Sequence, residues 1–306
     1  MKVDKNYFPG WVRKSFTFTN DDGNIVLDTK FINILKPYGI LGTFNLCDAK
    51  RAEPQFLREL YRGYGIANHC KRHPFALDPD ESYTVSDEEF SPETADEKLL
   101  YKKELEGEYY KHIGRGWRTF CTADTYCSLV KLAQEELGEV FGAGAVKSYV
   151  WPFTEQKDPR IHKFLKDYGF RSIRRVGALK DTTGFALPAD RMAWSYNATD
   201  ADLLEVAELY ESYPDDGELK FFCFGLHSHD YENANTWWKL KELGEKYGNR
   251  PESYYYASVD DIFDYEDALG ELIINESSVE NPTDITLYIK VDGERIVLPP
   301  RYKFEK

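Results

Sequence analysis

Apolar and polar positions follow two rhythms along most of this 306-residue chain. Residues 15–19 form a β-branched and aromatic run that reads as a first strand. Residues 29–35 carry apolar side chains at helical spacing and stop at Pro37-Tyr38-Gly39, where proline and glycine end a helix. A second strand is predicted over 40–46, a second helix over 53–64, and a short apolar segment over 65–68. Helices are then expected over 125–141, 159–168, 203–213, 237–247 and 259–269. Between them fall strand-like segments at 146–151, 170–176, 219–226 and 253–257. Strands alternating with helices predict an α/β architecture with parallel strands.

Two stretches break the rhythm. Residues 76–118 hold Asp-Pro-Asp-Glu, Ser-Asp-Glu-Glu and Ser-Pro-Glu-Thr, then a charged helix-like stretch over 97–112. They read as an acidic insertion on the rim of the fold, placed as a lid. Beyond residue 270, strands are expected over 271–275, 285–291 and 295–298, with a turn at Val291-Asp292-Gly293-Glu294. The division expected is a main unit over 1–270 and a small β appendage over 271–306 packed on it.

Composition narrows the function classes. Hydrophobic residues are 42% and charged residues 30%, as in an ordinary globular protein. A formal net charge of −14 weighs against nucleic acid or an anionic membrane surface, which need clustered Lys and Arg. Aromatics reach 15%, enough for sugar-stacking surfaces as well as for core filling. The five cysteines have no metal-like spacing and read as reduced thiols. The first ten residues hold no apolar signal segment and no run of about 18 apolar residues follows, so a cytoplasmic protein is expected.

The candidate chemistry sits at strand ends. Asp21-Asp22-Gly23 closes the first strand, and alone it also fits a plain surface turn. A metal would separate the two carboxylates into a ligand and a base. His69 and His73 are four apart, the spacing that puts two imidazoles on one helical face and within reach of one ion. His227 follows the apolar segment 219–226 and suits a general acid, while His229 reads as a bond to a loop carbonyl. Four of the six histidines fall in these two pairs, each after a strand-like segment, where α/β barrels place their sites. His112 and His162 read as surface residues, and Trp237-Trp238 as packing of a helix.

Taken in order, these pieces resemble the polysaccharide deacetylase superfamily, the NodB-homology or carbohydrate esterase family 4 type. Thr19-Asn20-Asp21-Asp22-Gly23 is similar to its Thr-Phe-Asp-Asp-Gly motif, and Tyr38-Gly39-Ile40-Leu41-Gly42-Thr43-Phe44 to the strand that follows. Gly65-Ile66-Ala67-Asn68-His69-Cys70-Lys71-Arg72-His73-Pro74 resembles the histidine segment. Tyr149-Val150-Trp151-Pro152-Phe153 resembles the third motif, residues 165–170 the strand after it, and Phe224-Gly225-Leu226-His227-Ser228 the late histidine motif. The resemblance covers about residues 11–270.

It implies a distorted (β/α) barrel of the polysaccharide deacetylase type with a small C-terminal β extension. It also implies a metal-dependent hydrolase that removes acetyl groups from an N- or O-acetylated saccharide. Asp22, His69 and His73 would hold a divalent metal, commonly zinc, with Asp21 as base and His227 as acid in the attack of a metal-activated water. Trp151, Pro152 and Phe153 would supply substrate contacts and the oxyanion hole, with Asn68 and His229 supporting the site. The partner expected is a carbohydrate, with a homo-oligomer allowed. Alternatives are an amidohydrolase of the same fold acting on a non-sugar C–N bond, or a non-catalytic barrel whose Asp21, Asp22, His69 and His73 do not converge. The chain departs from the pattern at Asn20, in place of an aromatic, and at Cys70, in place of Ser or Thr. No arginine precedes Trp151-Pro152 and no Asp-Trp motif follows, so the group that orients Asp21 is unassigned.

Overall fold

Parallel pairing dominates the computed structural model, which describes residues 1–50, 52–175 and 184–306, with only the backbone at Leu226. The main sheet runs in the order Ser172–Arg174, Val146–Val150, Gly65–Asn68, Thr43–Leu46, Lys14–Asp21, Lys220–His227. Each neighbouring pair in it is parallel. Tyr254–Tyr256 adds a seventh strand beside Lys14–Phe16, while Thr43–Leu46 joins the same central strand only at Thr19–Asn20. That divided pairing distorts the (β/α) barrel. Parallel strands need long crossovers, supplied by helices such as Ile25–Leu35, Pro54–Leu60, Ala123–Phe141 and Pro159–Tyr168.

Alternation along the strands sorts the interior by polarity. Phe16 and Phe18 join Phe31, Phe44, Phe222, Phe224 and Leu240 in the cluster between sheet and helices. Ser15, Thr17 and Thr19 point the other way and are buried. Ser15 Oγ donates to the Lys220 carbonyl at 3.0 Å and Thr17 Oγ1 to that of Ala257 at 2.7 Å. Asp21 continues this polar row at the C-terminal end of its strand. His227 is its register partner on the next strand.

The helices over Pro159–Tyr168 and Trp237–Tyr247 match the sequence reading, and the others differ at their ends by up to a few residues. The strand expected over 170–176 is Ser172–Arg174, and Val176 lies outside the described residues. The charged helix expected over 97–112 is absent. Instead, Phe75–Ala76, Tyr101–Lys102, Glu108–Ile113 and Gly116–Cys121 form a four-stranded sheet. Aromatic residues override the charge pattern there: Phe90 stacks on Tyr110 with centroids 4.1 Å apart and meets Trp117 edge-on at 4.9 Å. A tight turn at Gly114-Arg115, with Gly114 at φ 63°, closes the hairpin.

In the tail, Leu287–Val291 pairs with Glu294–Leu298 on one side and with Val3–Asp4 from the N-terminus on the other. Val279, Leu287, Ile289 and Leu298 share a buried cluster with Phe263 and Leu269 of the helix Val259–Gly270. Among the described residues, no helix is long and apolar enough to cross a membrane.

Candidate metal centre

Asp22 follows its strand at φ 76°, in the left-handed region that Asp tolerates better than most residues, and Gly23 follows at φ 64°. The two reverse the chain sharply, and Asn24 then caps the helix Ile25–Leu35 by accepting from the Leu27 N–H. The turn brings Asp22 Oδ1 to 3.4 Å from His69 Nε2 and 3.4 Å from His73 Nε2. The two imidazole nitrogens lie 3.1 Å from each other.

The histidine pair reaches this geometry without a helix, contrary to the expectation from its spacing. His69 follows the strand Gly65–Asn68, and Cys70, Arg72 and His73 take φ of 57°, 68° and 47°. The chain therefore turns over itself, closed by the His73 N–H to the Cys70 carbonyl at 3.1 Å. Asn68 braces the turn: its Oδ1 accepts from the Cys70 N–H at 2.9 Å, and its Nδ2 donates to the Val130 carbonyl and Gln134 Oε1.

The donor set fits a divalent cation. His69 is fully buried with Nδ1 3.0 Å from the Val150 carbonyl, so that nitrogen carries the proton and Nε2 offers its lone pair. Burial first, then the neighbouring His69, push His73 down to about 4, which leaves it a neutral donor. Asp22 Oδ1 is buried and makes no hydrogen bond of good geometry among the described residues. Three electron-pair donors facing one point repel unless a cation joins them. An ion with bonds of about 2.1 Å in tetrahedral array needs donors roughly 3.4 Å apart, close to the spacing here.

Asp21 is buried beside this cluster. Its Oδ1 accepts from Asn45 Nδ2 at 2.6 Å and from Arg174 Nη2. Its Oδ2 lies 4.0 Å from His69 Nε2 and 4.0 Å from His227 Nε2. Burial alone would push the Asp21 carboxyl up, but Arg174, then His69 and His227, hold it below its ordinary value. Asp21, Asp22, His69 and His73 thus converge.

Arg174 answers the missing arginine. It lies in the adjacent strand, in register with Val150, the residue before Trp151-Pro152. The sequence reading overlooked it: Arg171, Arg174 and Arg175 all fall in the strand expected over 170–176, and the local pattern does not single out the buried one. Asp230 was missed likewise: its Oδ2 accepts a hydrogen bond from His227 Nδ1 at 2.9 Å and faces the His227 N–H in a capping box. Burial favours the neutral imidazole, yet Asp230, Asp21 and Asp22 push His227 up to about 9. His229 stacks on His227 with centroids 4.6 Å apart, its Nδ1 3.8 Å from Asp22 Oδ2.

Trp151 and Pro152 are buried, the Trp151 ring packing near Tyr149 and His162. Phe153, at φ 56°, presents its ring to His73 at 4.2 Å and stacks on Phe75 at 3.9 Å. His162 is half exposed with Nε2 2.5 Å from the Gln156 carbonyl, and His112 lies 3.5 Å from Glu97. Trp237 packs on the core whereas Trp238 is exposed.

The comparisons with known proteins fit this architecture. A candidate polysaccharide deacetylase from Mycobacterium smegmatis superposes with a TM-score of 0.51 at 16% identity, over 87% of this chain and 94% of that one. The chain has the polysaccharide deacetylase fold. The Xyl-CE4 domain of a multidomain xylanase from the hindgut metagenome of Trinervitermes trinervoides aligns at a TM-score of 0.47 and 13% identity, covering 84% of this chain and 92% of that domain. A family 4 carbohydrate esterase from Bacillus anthracis aligns at 0.43 and 14%, covering 85% and 88%. No family model matches the sequence, and no curated protein matches it significantly. In this fold the Asp21-Asp22 turn, the His69–His73 turn and His227 all lie at the C-terminal ends of strands.

A buried network links the two halves of the site. Asp28 Oδ1 accepts from Asn20 Nδ2 at 2.8 Å and Ser228 Oγ at 2.7 Å, and its Oδ2 accepts from Tyr61 at 2.8 Å. Asn20 precedes Asp21-Asp22 and Ser228 follows His227, so this network ties the two strand ends together. Burial pushes Asp28 from 3.8 up to about 6, against its three hydrogen bonds. Between those values the folded chain holds a proton that the unfolded chain has released, so stability falls as pH rises through this window. The fall amounts to about 3 kcal/mol. Asp28→Asn should remove this slope, read as the difference between wild-type and variant urea midpoints from pH 4 to pH 7.

Proposed function

We propose that this chain is a metal-dependent hydrolase that removes acetyl groups from an N- or O-acetylated saccharide. The observation that carries the reading is Asp22 Oδ1, a buried carboxylate oxygen 3.4 Å from the Nε2 of both His69 and His73 and without a hydrogen bond of good geometry among the described residues. These three residues would hold the ion, with zinc the first expectation. When bound, it supplies Lewis acidity toward a water and the acetyl carbonyl.

The remaining roles follow from which atoms are already engaged. Asp21 Oδ1 accepts from Asn45 and Arg174, so Oδ2 faces the site and takes the proton of the attacking water. His227 Nδ1 is fixed on Asp230, which leaves Nε2 to deliver a proton to the departing amine or alkoxide. Among residues 151–153, Pro152 has no N–H and the Trp151 N–H donates to the Arg174 carbonyl at 3.1 Å. The Phe153 N–H is thereby assigned as the oxyanion donor. The fold shared with the Mycobacterium smegmatis structure supports a saccharide as the substrate class.

Acetate release from acetylated xylo-oligosaccharides and chito-oligosaccharides tests the reading on ester and amide together. Release should require added divalent metal after chelation, and His227→Asn should lower kcat by roughly 10²- to 10⁴-fold. A metal-loaded chain that releases no acetate from either class would overturn the substrate assignment and leave the metal centre standing.

A further inference from the structure

The turn carrying the metal ligands holds three non-glycine residues in the left-handed region: Cys70, Arg72 and His73. Such a backbone persists only where its surroundings over-determine it. Asn68 fixes the first half of the turn through the Cys70 N–H. The second half is held from outside by two buried carboxylates. Lys71 Nζ bonds Glu136, a buried residue of the helix Ala123–Phe141. Arg72 Nη1 bonds Glu108 Oε2 at 2.8 Å, and the Glu108 side chain is fully buried.

Glu108 belongs to the four-stranded sheet built by the acidic segment, not to the barrel. Its register partner is Cys121, which follows Phe120 in that sheet, and the Phe120 ring stacks on Phe75 at 4.9 Å. Phe75 stands two residues after His73 and stacks on Phe153, which itself packs against His73. The small sheet therefore meets the ligand turn at both Arg72 and Phe75. A fully buried carboxylate is costly to desolvate and is tolerated where a cation is held against it. Here Arg72 meets it, with Lys103 Nζ at 3.8 Å from Glu108 Oε1.

We propose that Glu108 is a positioning residue for the metal centre: by gripping Arg72 it holds His73 at coordinating distance, which makes the acidic segment a brace for the ligand turn. The proposal rests on Asp22, His69 and His73 forming a metal site. Cobalt(II) titration of the chelator-treated chain, followed by visible absorption, tests both separately. Wild type should bind cobalt with a well-defined d–d spectrum. Glu108→Gln should weaken binding about 10-fold, the low end for losing a partner that bonds a ligand directly, since Glu108 reaches His73 only through Arg72, and should alter the spectrum at saturation. Should Glu108→Gln not fold, Arg72→Lys keeps a charge against Glu108 but loses the forked guanidinium, and the same two changes are expected. Unchanged affinity, or weaker affinity with a wild-type spectrum at saturation, would overturn the brace, since the ligand geometry would then be independent of Glu108. No cobalt binding by wild type would instead overturn the metal site itself.

Discussion

His69→Ala is expected to abolish zinc binding at micromolar concentrations and to bring acetate release to background. His69 is fully buried, its Nδ1 sits 3.0 Å from the Val150 carbonyl, and its Nε2 faces both Asp22 and His73. Its ring is thus fixed before any ion arrives, and two donors would remain without it. Losing an outer partner of a ligand costs about 10- to 100-fold in metal affinity, and losing a ligand should exceed that. Metal content by mass spectrometry, beside acetate release at saturating zinc, gives the result. Retained activity in His69→Ala would remove it from the ligand set. The fold should survive, because the main apolar cluster lies on the opposite face of the strands and does not include His69.

Arg174→Met should be nearly as damaging, through a different cause. Arg174 and Asp21 are both buried, and the guanidinium is the largest of the charges that together outweigh burial at that carboxyl. In wild type the folded carboxyl lies below its ordinary 3.8, so its share of stability is complete above that value and is lost as pH falls through the lower one. Without Arg174, the strongest charge opposing burial is gone and the carboxyl rises, so that share of stability shrinks and its loss begins at higher pH. Breaking a buried pair by removing one partner costs about 3–5 kcal/mol. Two measurements follow. The acid limb of the kcat/KM profile should move to higher pH, with kcat near neutrality down by roughly 10²- to 10⁴-fold as the base loses the charge that orients it and keeps it ionised. Asp21→Asn added to Arg174→Met should recover most of the lost thermal stability, because no charge is then stranded. Arg174→Lys should restore part of the rate, since it returns the charge but not the forked donor geometry.

The parts of the site legible in the sequence were those whose residue types are themselves unusual at a strand end. Asp21-Asp22-Gly23 and His227 stand where alternation of apolar residues stops, and strand pairing alone places Asp21 beside His227. His69 and His73 were legible as a pair, but their spacing suggested a helix. The turn that replaces it depends on Asn68, Glu108 and Glu136, which come from three separate elements. Arg174 was hidden for a related reason. Its position follows from the register between Ser172–Arg174 and Val146–Val150, a long-range property that local pattern does not carry. Over 97–112 the misreading arose from counting charges, while the strands there are stabilised by rings such as Phe90, Tyr110 and Trp117 that meet only after folding.

A calorimetric titration of zinc into the chelator-treated chain, repeated with Asp22→Ala and His73→Ala, bears most directly on the three-donor centre. One ion per chain in wild type, with binding lost or weakened by orders of magnitude in each variant, is the result expected from Asp22 Oδ1 facing both histidines. Wild type without saturable binding, or with binding that survives in Asp22→Ala, would contradict it.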